Sequence, residues 1–246
     1  MYKLSFLFIL NVFLSSAQKE KPMNYKRFDE KTLHFGFMLG GNSSDFSVYQ
    51  KLNAFEDYDL ISLTNKSAPG GQVGIVSTLK LGTPVVRLRF IPTLSFQERI
   101  LRYSFVNPDP LESEPIFNEE RINSTNLDFP LMFQFRTIRL NNFASYVLLG
   151  AQYSLDLQSQ EDASQDFIDP FIKIKKNDYQ GQIGGGVEFF APYFKFGIEL
   201  KYSHGFVNSF IPEPTPIANG SIPKIIANVD IIIGFSFVGH ASIKAS

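Results

Sequence analysis

The feature that most restricts the fold of this chain is a period-two alternation of apolar and polar residues in eight separate segments. Such alternation predicts β-strands that have one apolar face and one polar face. The chain is therefore predicted to be all-β. We place the strands at about 33–41, 71–81, 85–103, 124–137, 143–157, 179–190, 193–205 and 224–237, with the third strand bent at Pro92.

The connections between these segments alternate strictly between long and short. Transmembrane barrels place short turns on the periplasmic side and long loops outside the cell. An even strand number and a long first connection then put both termini in the periplasm. We predict an eight-stranded antiparallel transmembrane β-barrel of up-and-down topology. Its four long extracellular loops are 42–70, 104–123, 158–178 and 206–223, and its three short periplasmic turns are 82–84, 138–142 and 191–192.

The N-terminus has the layout of a secretory signal peptide. Lys3 is followed by an apolar run over 4–14 and by small residues, which predicts cleavage between Ala17 and Gln18. The run is roughly 11 residues, too short for a membrane-spanning helix of about 20. No later run reaches that length, so a membrane protein of this sequence must be a barrel. The predicted divisions are 1–17 signal peptide, 18–31 charged periplasmic lead-in, 32–238 barrel and 239–246 C-terminal tail.

The two faces of the strands fit either of two barrels. A soluble, lipocalin-like periplasmic barrel turns its apolar face inward, whereas an outer-membrane barrel turns that face toward lipid. Phe129, Leu131 and Phe133 show how bulky the apolar face is, and such a row overfills the interior of eight strands. The opposite face carries Gly and Ser among charges, which suits a narrow interior. The sequence therefore favours an outer-membrane location, with lipid against the Phe and Leu rows.

The polar face carries five positive and five negative residues, which we predict to pair inside the barrel. Isolated buried charges cost several kcal/mol each, so charges confined in a narrow lumen have to neutralise one another. An eight-stranded interior is just wide enough for side chains to fill, which predicts a plugged lumen instead of an aqueous pore. The predicted lumen charge network comprises Arg87, Arg89, Asp128, Arg136, Asp156, Glu188, Lys195, Glu199, Lys201 and Asp230.

No residue pattern predicts catalysis or a cofactor. The absence of Cys excludes disulfides and thiol nucleophiles. Ser203 and His204 are neighbours on a strand, so they point to opposite faces and cannot form a dyad. Gly184–Gly186 has no following helix and is not a phosphate cradle. A net charge of −1 gives no argument for nucleic acid, and no metal site or small-molecule substrate is identified.

Aromatic residues near the strand ends predict the two interfacial girdles of a membrane barrel. Trp is absent, so Tyr and Phe have to form both girdles. The predicted members are Tyr103, Phe105, Tyr146, Tyr153, Phe190, Tyr193, Tyr202 and Phe206.

Several stretches resemble the PorT family of Bacteroidetes outer-membrane proteins. The most distinctive are LDFPL (127–131), RLNNF (139–143) and FFAPYFKFGIELKYS (189–203). The resemblance implies a non-enzymatic role in type IX protein secretion and gliding, as an assembly or translocon-associated component. It also implies partners among other secretion-system or outer-membrane proteins, and no cofactor. The chain departs from many outer-membrane barrels by continuing past Phe237 as VGHASIKAS.

Two other functions stay open on the sequence. The first is a general small outer-membrane barrel for adhesion, binding or narrow-channel transport. The second is a lipid-modifying barrel enzyme that uses the three histidines, His34, His204 and His240.

Overall fold

The computed structural model describes residues 22–25, 28–49, 60–107, 114–159, 174–209, 211 and 224–239. The predicted signal peptide, its cleavage site at Ala17–Gln18, and His240 lie outside these ranges. The described residues form one antiparallel sheet. Its strands are β1 (Leu33–Tyr49), β2 (Leu60–Lys80), β3 (Val86–Phe90), β4 (Thr93–Phe105), β5 (Ile116–Arg136), β6 (Phe143–Asp156), β7 (Asn177–Phe190), β8 (Lys195–Gly205) and β9 (Lys224–Val238).

The sheet closes on itself, because β1 pairs with β9 on one side and with β2 on the other. Strands β3 and β4 are two halves of one spanning strand, since both pair with β2 and with β5. They are separated at Ile91–Pro92, where the proline carbonyl still accepts the N–H of Ile75 at 3.0 Å. The closed sheet thus has eight spanning strands, which confirms the predicted fold class and the bend at Pro92.

Strand length is where the sequence prediction is wrong. The predicted loop 42–70 contains the end of β1 and the start of β2, which pair as far as Ser44 opposite Ala68. Likewise β4 and β5 pair out to Phe105 opposite Ile116, inside the predicted loop 104–123. These extensions carry polar residues on both faces, so they lack the alternation by which a half-buried strand is recognised.

The short connections all lie at one end of the barrel, which we call the turn end. They are 81–85, 137–142 and 191–194, and residues 22–25 and 28–32 lie beside them. The opposite end, where the long connections begin, is called the loop end. In the described ranges, no helix has the length and apolarity needed to cross a membrane.

The apolar rows lie on the outer surface of the closed sheet. Phe37 and Ile75 are 52% and 62% exposed there, and Phe37 stacks on Phe237 with ring centroids 5.1 Å apart. Polar and charged side chains point inward and are buried. This arrangement is the one expected for contact with lipid. It excludes the soluble barrel, in which the apolar rows would form the core.

The predicted aromatic girdles are wrong in three of their members. Tyr103, Tyr146 and Phe190 are buried in the interior, whereas Tyr193 at the turn end is 84% exposed. Position near a strand end therefore did not decide the environment of these rings. The parity of each position along its strand did, because successive side chains alternate between the two faces.

Candidate functional site

The interior holds nine of the ten residues of the predicted lumen charge network as buried side chains. The tenth, Asp156, is half-buried at the loop end of β6, where its carboxylate accepts the N–H of Gln158 at 2.9 Å. The nine are Arg87, Arg89, Asp128, Arg136, Glu188, Lys195, Glu199, Lys201 and Asp230.

Glu199 of β8 organises the first group of interior charges. Its carboxylate accepts a hydrogen bond from Arg89 at 2.8 Å and lies 3.2 Å from the Lys201 ammonium. The Tyr146 hydroxyl of β6 donates to the same carboxylate at 2.9 Å, with Gly186 of β7 between the two residues. Gly186 makes room for this ring, because a Cβ at that position would lie 2.6 Å from the Tyr146 Cζ atom. One carboxylate therefore joins three side chains from three strands.

Glu188 of β7 organises a second group, nearer the turn end. It accepts a hydrogen bond from Lys195 at 2.6 Å and another from the Gln134 amide at 2.9 Å. The Arg136 guanidinium lies 3.6 Å from its other oxygen. Glu188 and Lys195 flank the turn between β7 and β8, so a local connection brings this pair together.

The lead-in segment, which is charged and shows no periodicity in its sequence, enters the mouth of the barrel at the turn end with Phe28 and Asp29. The Asp29 carboxylate lies 2.9 Å from Arg87, 2.8 Å from Arg136 and 3.9 Å from Arg139. These three guanidinium groups come from β3, β5 and the connection 137–142. Burial lowers the pKa of Arg139, an effect that the charge of Asp29 opposes.

Phe28 fills the centre of the same mouth and is 0% exposed. Its ring lies against His34, with centroids 3.9 Å apart, and meets the edge of Phe190 at 5.5 Å. The cationic groups of Arg87 and Lys195 lie 4.9 Å and 4.6 Å from its centroid. The His34 ring donates from Nε2 to the Phe28 carbonyl at 2.8 Å. Cation–π contacts of this kind stabilise most when they are desolvated.

Residues 22–25 hold this segment against the connection 137–142. The Asn24 N–H donates to the Asn142 side chain at 2.7 Å, and the Asn24 amide donates to the Phe190 carbonyl at 3.2 Å. Arg139 donates to the carbonyls of Asn24 and Asn141, and its guanidinium lies 3.8 Å from the Phe190 ring centroid. These hydrogen bonds fix residues 22–25 to the connection 137–142 and to the end of β7, and so hold Phe28 in the mouth.

The loop half of the interior contains a residue that sequence analysis missed. Arg99 of β4 is buried. Its positive charge is attracted by the carboxylates of four aspartates, Asp230, Asp156, Asp178 and Asp128. The signal was present, because Arg99 continues the inward register of Arg87, Arg89 and Ser95. Buried amides fill the space around these groups: Gln97, Asn126, Gln152, Gln180 and Gln182.

An apolar cluster closes the loop end of the interior. It consists of Phe46, Leu63, Leu101, Tyr103 and Ile174. The Arg99 guanidinium packs on this cluster from below, 4.8 Å from the Phe46 ring centroid. The interior is thus bounded by Phe28 at one end and by the Phe46 cluster at the other.

The interior charges are segregated along the barrel axis. The turn half contains six cations and three carboxylates, whereas the described loop half contains one arginine and four aspartates. The turn-half residues are Arg87, Arg89, Arg136, Arg139, Lys195, Lys201, Asp29, Glu188 and Glu199; the loop-half residues are Arg99, Asp128, Asp156, Asp178 and Asp230. Overall neutrality thus coexists with a positive turn half and a negative loop half.

The two described histidines do not come together. His34 lies in the mouth at the turn end, and His204 lies near the loop end of β8. Ser203 points inward and accepts a hydrogen bond from Gln182 at 2.8 Å, so it lies on the opposite face from His204. In the part of the chain that the structure describes, no group of three or more His, Asp or Glu residues is arranged to hold a metal ion.

Comparison with known proteins gives one family and several solved structures. Residues 16–211 match the family model described as outer membrane protein beta-barrel domain. OprG from Pseudomonas aeruginosa is 15% identical over 84% of this chain and 96% of its own, with a TM-score of 0.43. Neisserial surface protein A is 9% identical over 82% and 95%, with a TM-score of 0.38. Ail of Yersinia pestis is 10% identical over 85% and 99%, with a TM-score of 0.37. No curated protein matches.

Proposed function

The chain belongs to the outer membrane protein beta-barrel domain family, and from that premise we propose that it assists type IX protein secretion as a closed, non-enzymatic barrel. It acts as an assembly or translocon-associated component whose partners are other secretion-system or outer-membrane proteins. Both termini and the turn end face the periplasm in this proposal, and the loop end faces outward.

The filled interior is the observation that carries this proposal. Ser95, Gln134 and Ser203 are 0% exposed, which means that no water molecule fits beside them. The Phe28 ring and the Phe46 cluster close the two ends. A barrel filled in this way has no route for a solute through its lumen. Its contacts with partners therefore fall at its two ends and on its lipid-facing surface.

The secretion role is supported by the resemblance to the PorT family and by where the resembling stretches lie. RLNNF forms the connection that binds residues 22–25, through Arg139 and Asn142. FFAPY forms the turn between β7 and β8, next to the same mouth. Two of the three stretches thus build the turn end, which favours this end as the place where a secretion partner binds.

Deletion of the gene in its native host, followed by an assay of secreted cargo, tests the secretion role. We expect cargo to accumulate inside the deletion strain, and a plasmid copy of the gene to restore its export. Normal secretion in the deletion strain contradicts the proposal.

A planar-bilayer measurement tests the closed barrel separately. Purified protein is expected to show no steady conductance, because the interior is filled. A stable open channel instead supports the alternative of narrow-channel transport.

A further inference from the structure

We propose that the mouth at the turn end is a binding site for an extended peptide segment with an aromatic residue followed by a carboxylate. The mouth is lined by Arg87, Arg136, Arg139, Lys195, His34 and Phe190. Phe28 and Asp29 are its resident occupant, and the corresponding segment of a partner chain takes their place. This inference goes beyond the secretion role and stands without it.

The strands that line the mouth carry more positive than negative groups, so they can bind a carboxylate from another segment. They provide one acidic group, Glu188, which is already bound to Lys195 at 2.6 Å. The three arginines converge on Asp29, a residue outside the barrel strands. Arg87 uses only Nη2 for this contact, and its Nε and Nη1 atoms donate to no acceptor in the described residues. The donors that Asp29 leaves unused are therefore available to the carboxylate of a segment that takes its place.

The same wall also selects an aromatic ring. Phe190, His34, Arg87 and Lys195 surround the Phe28 ring on several sides, at centroid distances between 3.9 and 5.5 Å. A cation and a neighbouring ring both interact favourably with an aromatic face or edge. An aliphatic side chain in this place would keep the burial but lose both kinds of contact.

The resident segment is positioned so that it can be exchanged. The Asp29 side chain is 28% exposed, whereas the Arg87 guanidinium beneath it is fully buried. The described residues of this segment, 22–25 and 28–31, are not part of the sheet, so their release breaks no strand ladder. The turn half keeps an excess of cations even with Asp29 in place, and this excess attracts a second acidic segment.

Binding of a synthetic peptide to the mature chain in detergent micelles tests the site. The probe is a fluorescein-labelled peptide of residues 22–31 (PMNYKRFDEK), and its control carries Asn at the Asp29 position. A chain with Phe28→Ala and Asp29→Asn has a weakened occupant and is expected to bind the probe at least about tenfold more tightly than the natural chain. The Asn peptide is expected to bind at least about tenfold more weakly, since the ion pairs with Arg87 and Arg136 are lost.

A distance measurement on a chain with an intact mouth complements the binding assay. The chain has no Cys, so spin labels at Met23→Cys and Tyr193→Cys are unique, and both positions are exposed. We expect one narrow label-to-label distance, which broadens when the probe peptide is added in excess. The proposal is overturned by an unchanged distance at saturating peptide, by equal affinity for the Asp and Asn peptides, or by no binding to either chain.

Discussion

The turn half and the loop half of the interior fill the same narrow space with different chemistry. The turn half is rich in cations and is held by direct ion pairs, such as Arg89 with Glu199 at 2.8 Å. The loop half contains one arginine among aspartates and amides, and Asp128 there is bound by the Ser95 hydroxyl at 2.6 Å. One half is closed by a segment from outside the sheet, and the other by the Phe46 cluster, most of whose side chains belong to strands.

This difference shows that two halves of equal burial need not be equally sensitive to substitution. A buried ion pair that loses one partner leaves an uncompensated charge, which costs about 3–5 kcal/mol. A neutral hydrogen bond that is lost costs about 1 kcal/mol, or somewhat more if a buried group is left unsatisfied. The turn half should therefore account for most of the sensitivity of the barrel to single substitutions.

Glu199→Gln is expected to have the largest effect. It removes the charge that neutralises Arg89 and Lys201 and accepts the Tyr146 hydroxyl. We expect the free energy of unfolding to fall by about 3–5 kcal/mol. Urea titration in micelles, followed by circular dichroism because the chain has no Trp, measures the change.

The matched control is Glu98→Gln, which breaks an exposed pair with Arg121 at 3.2 Å. Exposed pairs contribute about 0–1 kcal/mol, so little change is expected. Equal losses in the two variants would mean that the interior charge of Glu199 is not neutralising buried cations.

Phe28→Ala should come next, and it should act on the mouth more than on the strands. Removal of a fully buried ring costs about 3 kcal/mol, the low end of the range for such substitutions. Because the lost contacts hold the described segment around Phe28, we expect tryptic cleavage after Lys31 to become about a hundredfold faster. The control is Met23→Ala, an exposed position of the same segment. A cleavage rate that Phe28→Ala leaves unchanged contradicts the bound state of the segment.

Gly186→Ala compares a crowded inward position of β7 with its less crowded neighbour, Gly185. A Cβ at Gly186 would lie 2.5 Å from the Ile198 carbonyl oxygen and 2.6 Å from the Tyr146 ring. Overpacking of this kind costs about 1–3 kcal/mol. The neighbouring Gly185→Ala is the control, because its nearest contact is the Tyr146 carbonyl oxygen at 3.4 Å. Similar stabilities of the two variants, measured by the urea titration, would contradict the placement of the Tyr146 ring.

Much of the spanning region could be predicted from the sequence, because each spanning strand has one face toward lipid and one face inward. Phe133 and Gln134 illustrate this, since the first is exposed and the second is buried, as their alternation predicts. The extensions of β1 and β2 beyond Gly41 and Gly71 could not be predicted. Polar residues occur on both of their faces there, and no periodic signal distinguishes a paired strand from a loop.

The closure of the mouth could not be predicted for a different reason. Phe28 and Asp29 bind to residues that are distant in the sequence, Phe190 and Arg136 among them. Local pattern carries no information on such contacts. Arg99, by contrast, was available to sequence analysis, because counting onward from Ser95 in steps of two reaches it. Recognition of the closed mouth thus needed three-dimensional coordinates, whereas recognition of Arg99 needed only the inward alternation of β4 to be followed further.

Ser95→Ala has the smallest expected effect and is the sharpest test of the difference between the two halves. It removes the hydroxyl that donates to Asp128 in the loop half. We expect the urea titration to show a loss of about 1.5 kcal/mol, the low end of the range for a hydrogen bond to a charged group. Ser77→Ala on the outer side of β2 serves as the control and should change little. If Ser95→Ala costs as much as Glu199→Gln, then burial rather than charge pairing decides sensitivity along the whole interior.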